Sequence, residues 1–397
     1  MKKELHPPSP GHKDTQLLRD ELFRKERIIE QRQGTEIKVD GKWLLNFCSN
    51  NYLGLASHTR IKLAMQAAAD RYGTGSTASP LVCGKSALHF ALEQKLASIT
   101  GRDRALLLSC GYMANLAILS ALTGARDQQI LADRHCHASM VDGAMTSRSV
   151  FKRYPHSDPA ALEQLLRNAG DTPALVLTES VFSMDGDIAP LPALARICRS
   201  YQACLVVDDA HGFGVLGREG LGGLDHFSLG QTEVPLMMAT FGKALGVYGA
   251  FIAGPDQLIE TLVQRARPYV YSTALPPPVI AAVYESLDVM REEPGRRQRL
   301  LVAIHRFQSG AARLGIPVAP FVTPIQPVII GDAGKAVLIS ELLEQDGFFI
   351  RAIRPPTVPT NTSRLRITLS ADHDEQQIDG LLRALGNRLT EAGIISG

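Results

Sequence analysis

The stretch ACLVVDDAHGFGVLG, residues 203–217, joins an apolar strand to two features. One is a pair of aspartates with a histidine, DDAH, at the strand end, and the other is the glycine-rich segment GFGVLG. GFGVLG matches the G-x-G-x-x-G pattern of dinucleotide-binding turns, in which the glycines open a helix. The residues that follow here, REGLGGLDHF, carry three further glycines and no helical period. The pattern therefore favours an irregular loop over a site and argues against NAD binding.

Short apolar segments predict the sheet to which this stretch belongs. Such segments suit strands that are buried on both faces of a mostly parallel sheet. Helical patterns lie between several of them, as in LPALARICRSYQ, residues 191–202. The alternation predicts an α/β fold whose ligands bind at the carboxyl ends of the strands. The predicted strands are residues 105–110, 129–135, 174–182, 204–210, 235–241 and 249–254.

The chain is predicted to have three regions. A helix over residues 16–33 precedes a hairpin that turns at Asp40-Gly41. After residue 278 a long helical region runs to about residue 314, and short strands and a final helix follow. The predicted regions are an N-terminal helix and hairpin segment, 1–48, a large domain, 49–288, and a small C-terminal α+β domain, 289–397.

The composition is that of a globular protein without a nucleic-acid or membrane partner. The 397 residues carry a formal net charge of +2 and are 45% hydrophobic. No apolar run reaches 18 residues, and the N-terminus lacks the apolar region of a secretory signal. The six cysteines form no C-x-x-C pattern. We therefore expect reduced cysteines and a cytoplasmic location.

Asp208 and Lys243 each follow an apolar run, where an isolated charge is costly. Asp208 either caps backbone amides of the next loop or faces a cation. Lys243 is the one lysine between Lys152 and Lys335, and it either extends to solvent or is a buried amine with a lowered pKa. A neutral amine forms Schiff bases with carbonyl compounds, including pyridoxal phosphate, whose ring nitrogen commonly pairs with an aspartate.

The stretches around these residues resemble the pyridoxal-phosphate-dependent α-oxoamine synthases, which have the aspartate-aminotransferase fold (fold type I). The resemblance covers about residues 20 to 390. It implies a large domain with a mostly parallel sheet flanked by helices, a smaller C-terminal domain, and acyltransferase activity with pyridoxal phosphate. The matching stretches are NFCSNNYLGL, YGTGSTASPLVCG, ALLLSCGYMAN, ADRHCHASMVDG, TESVFSMDGDIAPL, VVDDAHGFGVLG, ATFGKALGVYGAFIAG, YVYSTALPP and RPPTVPTNTSRLRITLSADH.

The resemblance also implies which residues hold the cofactor. Lys243 would bind it as a Schiff base and move protons, and Asp208 would pair with the ring nitrogen. His137 would stack on the ring, and His211 would hydrogen-bond to the ring hydroxyl. The other implied contacts are Ser183 near the ring or phosphate, the amides of Gly111 and Tyr112 with Thr240 at the phosphate, and Ser272 and Thr273 at the phosphate of a neighbouring subunit.

Contacts that cross between subunits imply a homodimer with shared active sites. For the substrates, the resemblance implies that Arg366 holds the amino-acid carboxylate, which a planar guanidinium fork matches well. Asn50 and His137 would lie near the same substrate. Arg24 and Thr357 would contact the acyl substrate.

The C-terminal stretch AIRPPTVP, followed by TSRLR, narrows the expected reaction. It is similar to family members of the biotin pathway, which condense L-alanine with a pimeloyl thioester on acyl-carrier protein or coenzyme A. The chain departs from many of these members between Thr77 and Cys83, on the acyl side of the site. The run GRRQR, residues 295–299, either meets an acidic carrier or is a solvated basic helix face.

Several alternatives stay open at this point. Sister synthases use glycine with acetyl-CoA or serine with a fatty acyl thioester, and aminotransferases share the fold. A catalytically silent binding protein would have no need to retain Lys243, Asp208, His137 and His211 together. The HCH triplet at 135–137 has no acidic residue at ligand spacing, so we expect no metal site.

Overall fold

A seven-stranded sheet is the largest feature of the computed structural model, which describes residues 22, 26–124 and 127–395. The strands of these residues are, in chain order, β1 (Gln31–Gln33), β2 (Glu36–Val39), β3 (Lys42–Asn46), β4 (Arg104–Leu108), β5 (Gln129–Asp133), β6 (Val150–Tyr154), β7 (Ala174–Glu179), β8 (Cys204–Asp208), β9 (Leu236–Thr240), β10 (Ala250–Gly254), β11 (Ile325–Gly331), β12 (Phe348–Phe349), β13 (Ala352–Ile353) and β14 (Ser363–Thr368).

Helices cover and connect these strands. Within the described residues the α-helices are Thr59–Tyr72, Ala87–Thr100, Gly111–Leu122, Ala138–Thr146, Pro159–Ala169, Leu191–Ser200, Gly223–His226, Asp256–Arg265, Arg267–Val270, Pro277–Glu292, Gly295–Arg313, Ala333–Gln345 and Glu375–Glu391. A short 3₁₀ turn, Leu55–Ser57, and a π turn, Pro80–Gly84, complete the set.

The large sheet has the order β4-β10-β9-β8-β7-β5-β6. Strands β6, β5, β7, β8 and β9 are parallel, and β10 is antiparallel to both of its neighbours. All six strands predicted from the sequence form, with ends that differ by at most three residues, so the prediction of a mostly parallel sheet is confirmed. The strand β6 was missed because its sequence, VFKRY, is not a continuous apolar run and only Tyr154 is buried.

Two apolar clusters cover the two faces of this sheet. Along β8, Leu205 and Val207 belong to one cluster and Val206 to the other, because successive side chains of a strand point to opposite faces. The same alternation separates Leu107 from Leu106 on β4. Burial on both faces explains why these strands read as continuous apolar runs.

The C-terminal part contains the antiparallel sheet β11-β14-β13, flanked by helices. The long helical region expected after residue 278 consists of two helices, Pro277–Glu292 and Gly295–Arg313, with Pro294 between them. One buried cluster extends from Phe47 to Leu389. The boundaries near residues 48 and 288 stay predictions.

The N-terminal prediction is partly wrong. Residues 16–21 and 23–25 lie outside the described residues, but Gln31–Gln33 is a strand that pairs with β2, where a helix was expected. Pairing with the neighbouring hairpin outweighs the local helical spacing. The hairpin itself is confirmed, and Asp40 and Gly41 both have positive φ, 50° and 76°.

Two further properties of the described residues concern their helices and their cysteines. None of their helices combines the length and apolar character that a membrane crossing requires. All six cysteines are free, and Cys136 and Cys198 are buried.

Candidate active site

Several polar residues singled out from the sequence lie at one edge of the large sheet, among them Asp208 at the end of β8 and Thr240 at the end of β9. Strands β5, β7, β8 and β9 run in the same direction, and two antiparallel pairings through β10 give β4 that direction too. Their carboxyl ends therefore meet at this edge, where α/β sheets bind ligands.

Lys243 and His211 are in direct contact at this edge, because Nζ of Lys243 lies 2.8 Å from Nε2 of His211. Burial lowers the pKa of Lys243 to about 8, against the opposing charges of Asp208 and Glu179. Burial also lowers the pKa of His211 well below its usual value, and the nearby Lys243 charge adds to this shift. The pair is therefore an amine that loses its proton easily beside a neutral imidazole.

A line of hydrogen bonds leads from this pair to Arg366. His211 Nδ1 lies 2.8 Å from the hydroxyl of Tyr52, which donates to Asn50 Oδ1 at 3.0 Å. Nη1 of Arg366 donates to the same Asn50 oxygen at 3.2 Å, and its Nε donates to the Ser183 carbonyl at 2.5 Å. Ser183 thus meets Arg366 through its backbone.

Asp208 and His137 are joined through two residues that sequence reasoning missed. Nδ2 of Asn115 donates to Asp208 Oδ2 at 2.8 Å and to the Ser139 hydroxyl at 2.9 Å. The same hydroxyl lies 2.8 Å from Nδ1 of His137. Asp208 also accepts a hydrogen bond from the Ala210 amide at 2.9 Å. It therefore also caps a backbone amide of the next loop, which was the alternative role offered for it from the sequence.

Glu179, at the end of β7, is a further residue to which the sequence assigned no role. It is buried, and burial raises the pKa of its carboxyl well above the usual value, with the Asp208 charge adding to the shift. Its Oε1 atom has no hydrogen-bond partner among the described residues. Glu179 is therefore a buried carboxyl that interacts with both Asp208 and Lys243.

Gly111 and Thr240 lie close together at the same sheet edge. Gly111 begins the helix Gly111–Leu122, whose first backbone N–H groups have no partner within the helix. A Cβ at Gly111 would lie 3.2 Å from Met238 and 3.8 Å from Cβ of Thr240, so the helix start closely approaches β9. The Thr240 hydroxyl donates to the Gly249 carbonyl at 2.9 Å. A helix N-terminus beside a hydroxyl suits a phosphate.

Four further predicted residues are Ser272, Thr273, Tyr112 and Thr357. Ser272 and Thr273 line a cleft together with Ser109. Tyr112 begins the helix with Gly111, donates its hydroxyl to Asp142, and has its ring centroid 6.4 Å from that of His137. Thr357 is exposed in a turn closed by its own N–H and the Arg354 carbonyl. Arg24 lies outside the described residues.

The glycine-rich stretch that follows Asp208 is an irregular loop, as expected. The four-residue helix Gly223–His226 comes only after it. The loop wraps the buried carboxylate of Asp209, which accepts from the Gly223 amide and the Ser180 hydroxyl. A Cβ at Gly212 or Gly222 would overlap that carboxylate, so close packing accounts for these glycines.

The departures between Thr77 and Cys83 form a strained and exposed segment. Thr77 has a φ of 62°, which is unusual for a β-branched residue. Leu81 and Val82 are 50% and 78% exposed in the single chain. The segment is tied to the stretch around Ser272, because the Ala274 amide donates to the Ala78 carbonyl at 2.9 Å.

Comparison with known proteins gives the family. The model of aminotransferase class I and II matches residues 42–385. The 8-amino-7-oxononanoate synthase of Methylococcus capsulatus is 53% identical over 371 residues, which cover 94% of this chain and 96% of the relative. The enzyme of the same name from Pseudomonas putida is 51% identical and covers 92% of this chain and 93% of its own.

Solved structures agree on the fold. Serine palmitoyltransferase from S. paucimobilis with bound PLP and myriocin aligns with a TM-score of 0.90 at 28% identity, covering 93% of this chain and 94% of its own. The 8-amino-7-oxononanoate synthase from Francisella tularensis aligns with a TM-score of 0.77 at 30% identity, covering 88% of this chain and 99% of its own. Taken with the sequence relatives, these matches show that the chain belongs to the 8-amino-7-oxononanoate synthases, pyridoxal-phosphate-dependent α-oxoamine synthases of aminotransferase class I and II.

Proposed function

We propose that this chain condenses L-alanine with a pimeloyl thioester to form 8-amino-7-oxononanoate, CO2 and the free thiol carrier in biotin biosynthesis. The observation that carries the proposal is the contact of Lys243 with His211, within a hydrogen-bonded line that reaches Arg366. Identity of 53% and 51% to curated enzymes of this name, each over more than nine-tenths of the chain, supports the substrates.

The donors at the sheet edge fit pyridoxal phosphate. An amine with a pKa of about 8 suits its aldehyde, the Asp208 carboxylate suits its ring nitrogen, and the start of the helix Gly111–Leu122 with Thr240 suits its phosphate. When bound, the cofactor supplies an electron sink for the pair of electrons left by a broken bond at the α-carbon.

Lys243 has two roles in this proposal. Its amine holds the aldehyde covalently, and it takes the α-proton of alanine and later returns one. A pKa of about 8 lets the amine do both near neutral pH, since the best acid–base catalysts titrate near the working pH. His211, neutral and in contact with Nζ, keeps that amine in place.

Asp208 and His137 would act on the ring. Asn115 and the Ala210 amide fix the Asp208 carboxylate, so its charge stays where a ring nitrogen would need it. Ser139 holds Nδ1 of His137 at 2.8 Å, and this sets the plane of the imidazole that would stack on the ring. Both side chains are thereby oriented before a ligand binds.

Arg366 and Asn50 would hold the carboxylate of alanine. The α-carbon, once deprotonated, forms a bond to the thioester carbonyl carbon, and the thiolate leaves. The alanine carboxylate then departs as CO2, and a proton replaces it at the α-carbon. Arg366 is held by Asn50 and the Ser183 carbonyl, which fixes the plane of its guanidinium before a substrate binds.

On the acyl side, Thr357 would contact the acyl group, as would Arg24. Thr357 is exposed, in a turn that its N–H closes with the Arg354 carbonyl. Arg296 and Arg297 of the basic run are engaged within the chain, by Glu293 at 2.7 Å and the Met290 carbonyl at 3.0 Å. These contacts within the chain argue against a role of the run in binding an acidic carrier. The acyl carrier is either acyl-carrier protein or coenzyme A.

A homodimer with shared active sites is also part of the proposal. Ser272 and Thr273 line a cleft together with Pro80. The residues next to these in the chain, Leu81, Val82 and Tyr271, are 50%, 78% and 72% exposed in the single chain. Exposed apolar side chains around a polar pair are typical of a surface that a second subunit covers.

Free cysteines throughout the sequence support the expected cytoplasmic location.

The experiment that tests the reaction uses L-alanine labelled with ¹³C in its carboxyl group and pimeloyl-CoA. The proposal requires one ¹³CO2 and one free thiol for each 8-amino-7-oxononanoate formed. A second candidate, a serine palmitoyltransferase activity, is favoured by the TM-score of 0.90, so L-serine with palmitoyl-CoA forms a parallel arm. Glycine with acetyl-CoA is the third arm. Turnover confined to the serine or glycine arm would replace the proposed substrates.

A further inference from the structure

The hydroxyl of Tyr52 lies at the centre of the line of hydrogen bonds, between His211 and Asn50. Tyr52 is completely buried, and its hydroxyl lies 2.8 Å from His211 Nδ1 and 3.0 Å from Asn50 Oδ1. Tyr52 is not among the residues that the family resemblance implies for the site. Either of these two partners could receive the proton of the Tyr52 hydroxyl.

The contact of Asn50 with Arg366 determines which partner receives the Tyr52 proton. A guanidinium has N–H donors and no acceptor, so the Asn50 atom that faces Nη1 at 3.2 Å must be the amide oxygen. The same oxygen faces the hydroxyl of Tyr52, which must therefore be the donor. Burial raises the pKa of Tyr52, so the hydroxyl has a proton to give.

The direction of this bond determines the next one. With its one proton directed at Asn50, the Tyr52 oxygen can only accept from His211 Nδ1. Since a neutral imidazole has a single N–H, Nε2 of His211 is then an acceptor. The group that faces Nε2 is the Lys243 amine, 2.8 Å away, which must donate to it.

We propose that Tyr52 is a positioning residue that fixes His211 in the tautomer protonated at Nδ1, so that Lys243 points an N–H at His211 and keeps its lone pair free to attack a carbonyl carbon. In the other tautomer, Nε2–H would donate to that lone pair and block it. The step it serves is balanced: the Lys243 nitrogen bonds to the aldehyde carbon, and the carbonyl oxygen leaves as water with two amine hydrogens. This inference rests on the proposed role of Lys243.

Neutron diffraction from crystals of the full chain, freed of cofactor and exchanged into D2O, tests the tautomer directly. We expect deuterium on Nδ1 of His211, none on Nε2, and the O–D of Tyr52 directed at Asn50. Deuterium on Nε2 would overturn the proposal. This measurement needs neither substrate nor turnover. The tautomer proposal can therefore be contradicted while the alanine assay supports the proposed function, and the proposed function can be contradicted while the tautomer is found as expected.

A kinetic test compares two buried tyrosines. Tyr52→Phe removes the acceptor for Nδ1, while Tyr154→Phe removes a hydroxyl of equal burial that donates to the Leu177 carbonyl at 3.2 Å. The measured quantity is the rate constant for capture of added pyridoxal phosphate by the cofactor-free chain. We expect capture about tenfold slower in Tyr52→Phe, the factor that ~1.4 kcal/mol of one buried hydrogen bond represents, and unchanged in Tyr154→Phe. Equal rates in wild type and Tyr52→Phe would contradict the proposal.

A second variant covers the case in which Tyr52→Phe does not fold. Asn50→Ala removes the acceptor for the Tyr52 proton, which can then turn to Nδ1 of His211. We expect ¹⁵N-histidine NMR of the cofactor-free chain to show His211 moving to the tautomer protonated at Nε2. His211 is assigned from the signal that is lost in His211→Asn. An unchanged tautomer in Asn50→Ala would show that Tyr52 does not set it.

Discussion

The amine nitrogen of Lys243 lies 2.8 Å from Nε2 of His211, at the carboxyl edge of the large sheet. Burial holds the pKa of this amine at about 8, where an exposed lysine titrates above 10. The contact therefore places a lysine that is neutral at mildly alkaline pH beside the imidazole of His211, which stays uncharged. Nucleophilic attack on an aldehyde requires such an amine.

The first prediction concerns pH. Only the neutral amine attacks, so the rate constant for capture of pyridoxal phosphate by the cofactor-free chain should rise about tenfold per pH unit below 8 and level off above it. Stopped-flow absorbance from pH 6 to pH 10 would measure it. A midpoint near 10.5, the value of a solvated lysine, would show that Lys243 is not perturbed.

Replacement of Lys243 tests its two roles together. Lys243→Ala should lower turnover by at least about 10⁴-fold, because an acid–base group alone contributes about 10²–10⁴-fold and the covalent attachment is lost as well. Borohydride should no longer fix the cofactor to the protein. Lys335→Ala, on an exposed helix start, is the control and should keep both properties. Substantial turnover in Lys243→Ala would show that Lys243 is not required for the reaction.

Arg366 is expected to act through its fork geometry. Arg366→Lys should raise the KM for L-alanine by about 10–100-fold, the cost of losing one charge-assisted hydrogen bond, with a smaller effect on kcat. Steady-state kinetics with varied alanine would show the split. Arg306→Lys, on a surface arginine paired with Asp379, should leave both constants unchanged. An unaltered KM in Arg366→Lys would place the substrate carboxylate elsewhere.

His156 predicts how stability depends on pH. It lies between Asp133 and Asp187, 2.9 Å from each. Burial lowers its pKa, but the hydrogen bonds to the two carboxylates outweigh this and raise it to about 10. The folded pKa exceeds the unfolded value of about 6.5, so the stabilisation is complete below pH 6.5 and is lost as the pH rises toward 10.

The matching variant is His156→Gln. It should lower the free energy of unfolding by about 3 kcal/mol at pH 6, because one partner of a buried ion pair is removed. The difference from wild type should shrink steadily between pH 7 and pH 10 in urea titrations. A difference that grows with pH would mean that His156 is neutral in the folded protein.

The strands of the large sheet could be predicted because residues buried on both faces leave a continuous apolar run, as in Cys204–Asp208. Edge strands such as Val150–Tyr154 lack that signal. Lys243 and Asp208 were found because a charge after an apolar run is costly. Tyr52, Asn115 and Glu179 were given no role from the sequence, although all three lie in stretches that match the family. Their roles depend on which side chains meet across the fold, and spacing along the chain does not carry that information.

The central claim is that Lys243 holds pyridoxal phosphate and that the site processes L-alanine with a pimeloyl thioester. The most direct measurement is the visible absorbance of the purified, cofactor-bound chain during titration with L-alanine, followed by pimeloyl-CoA. We expect alanine to shift the cofactor band and the thioester to produce a further transient band as 8-amino-7-oxononanoate forms. A band that ignores alanine but responds to glycine or serine, or a chain that shows no band after pyridoxal phosphate is added, would contradict the claim.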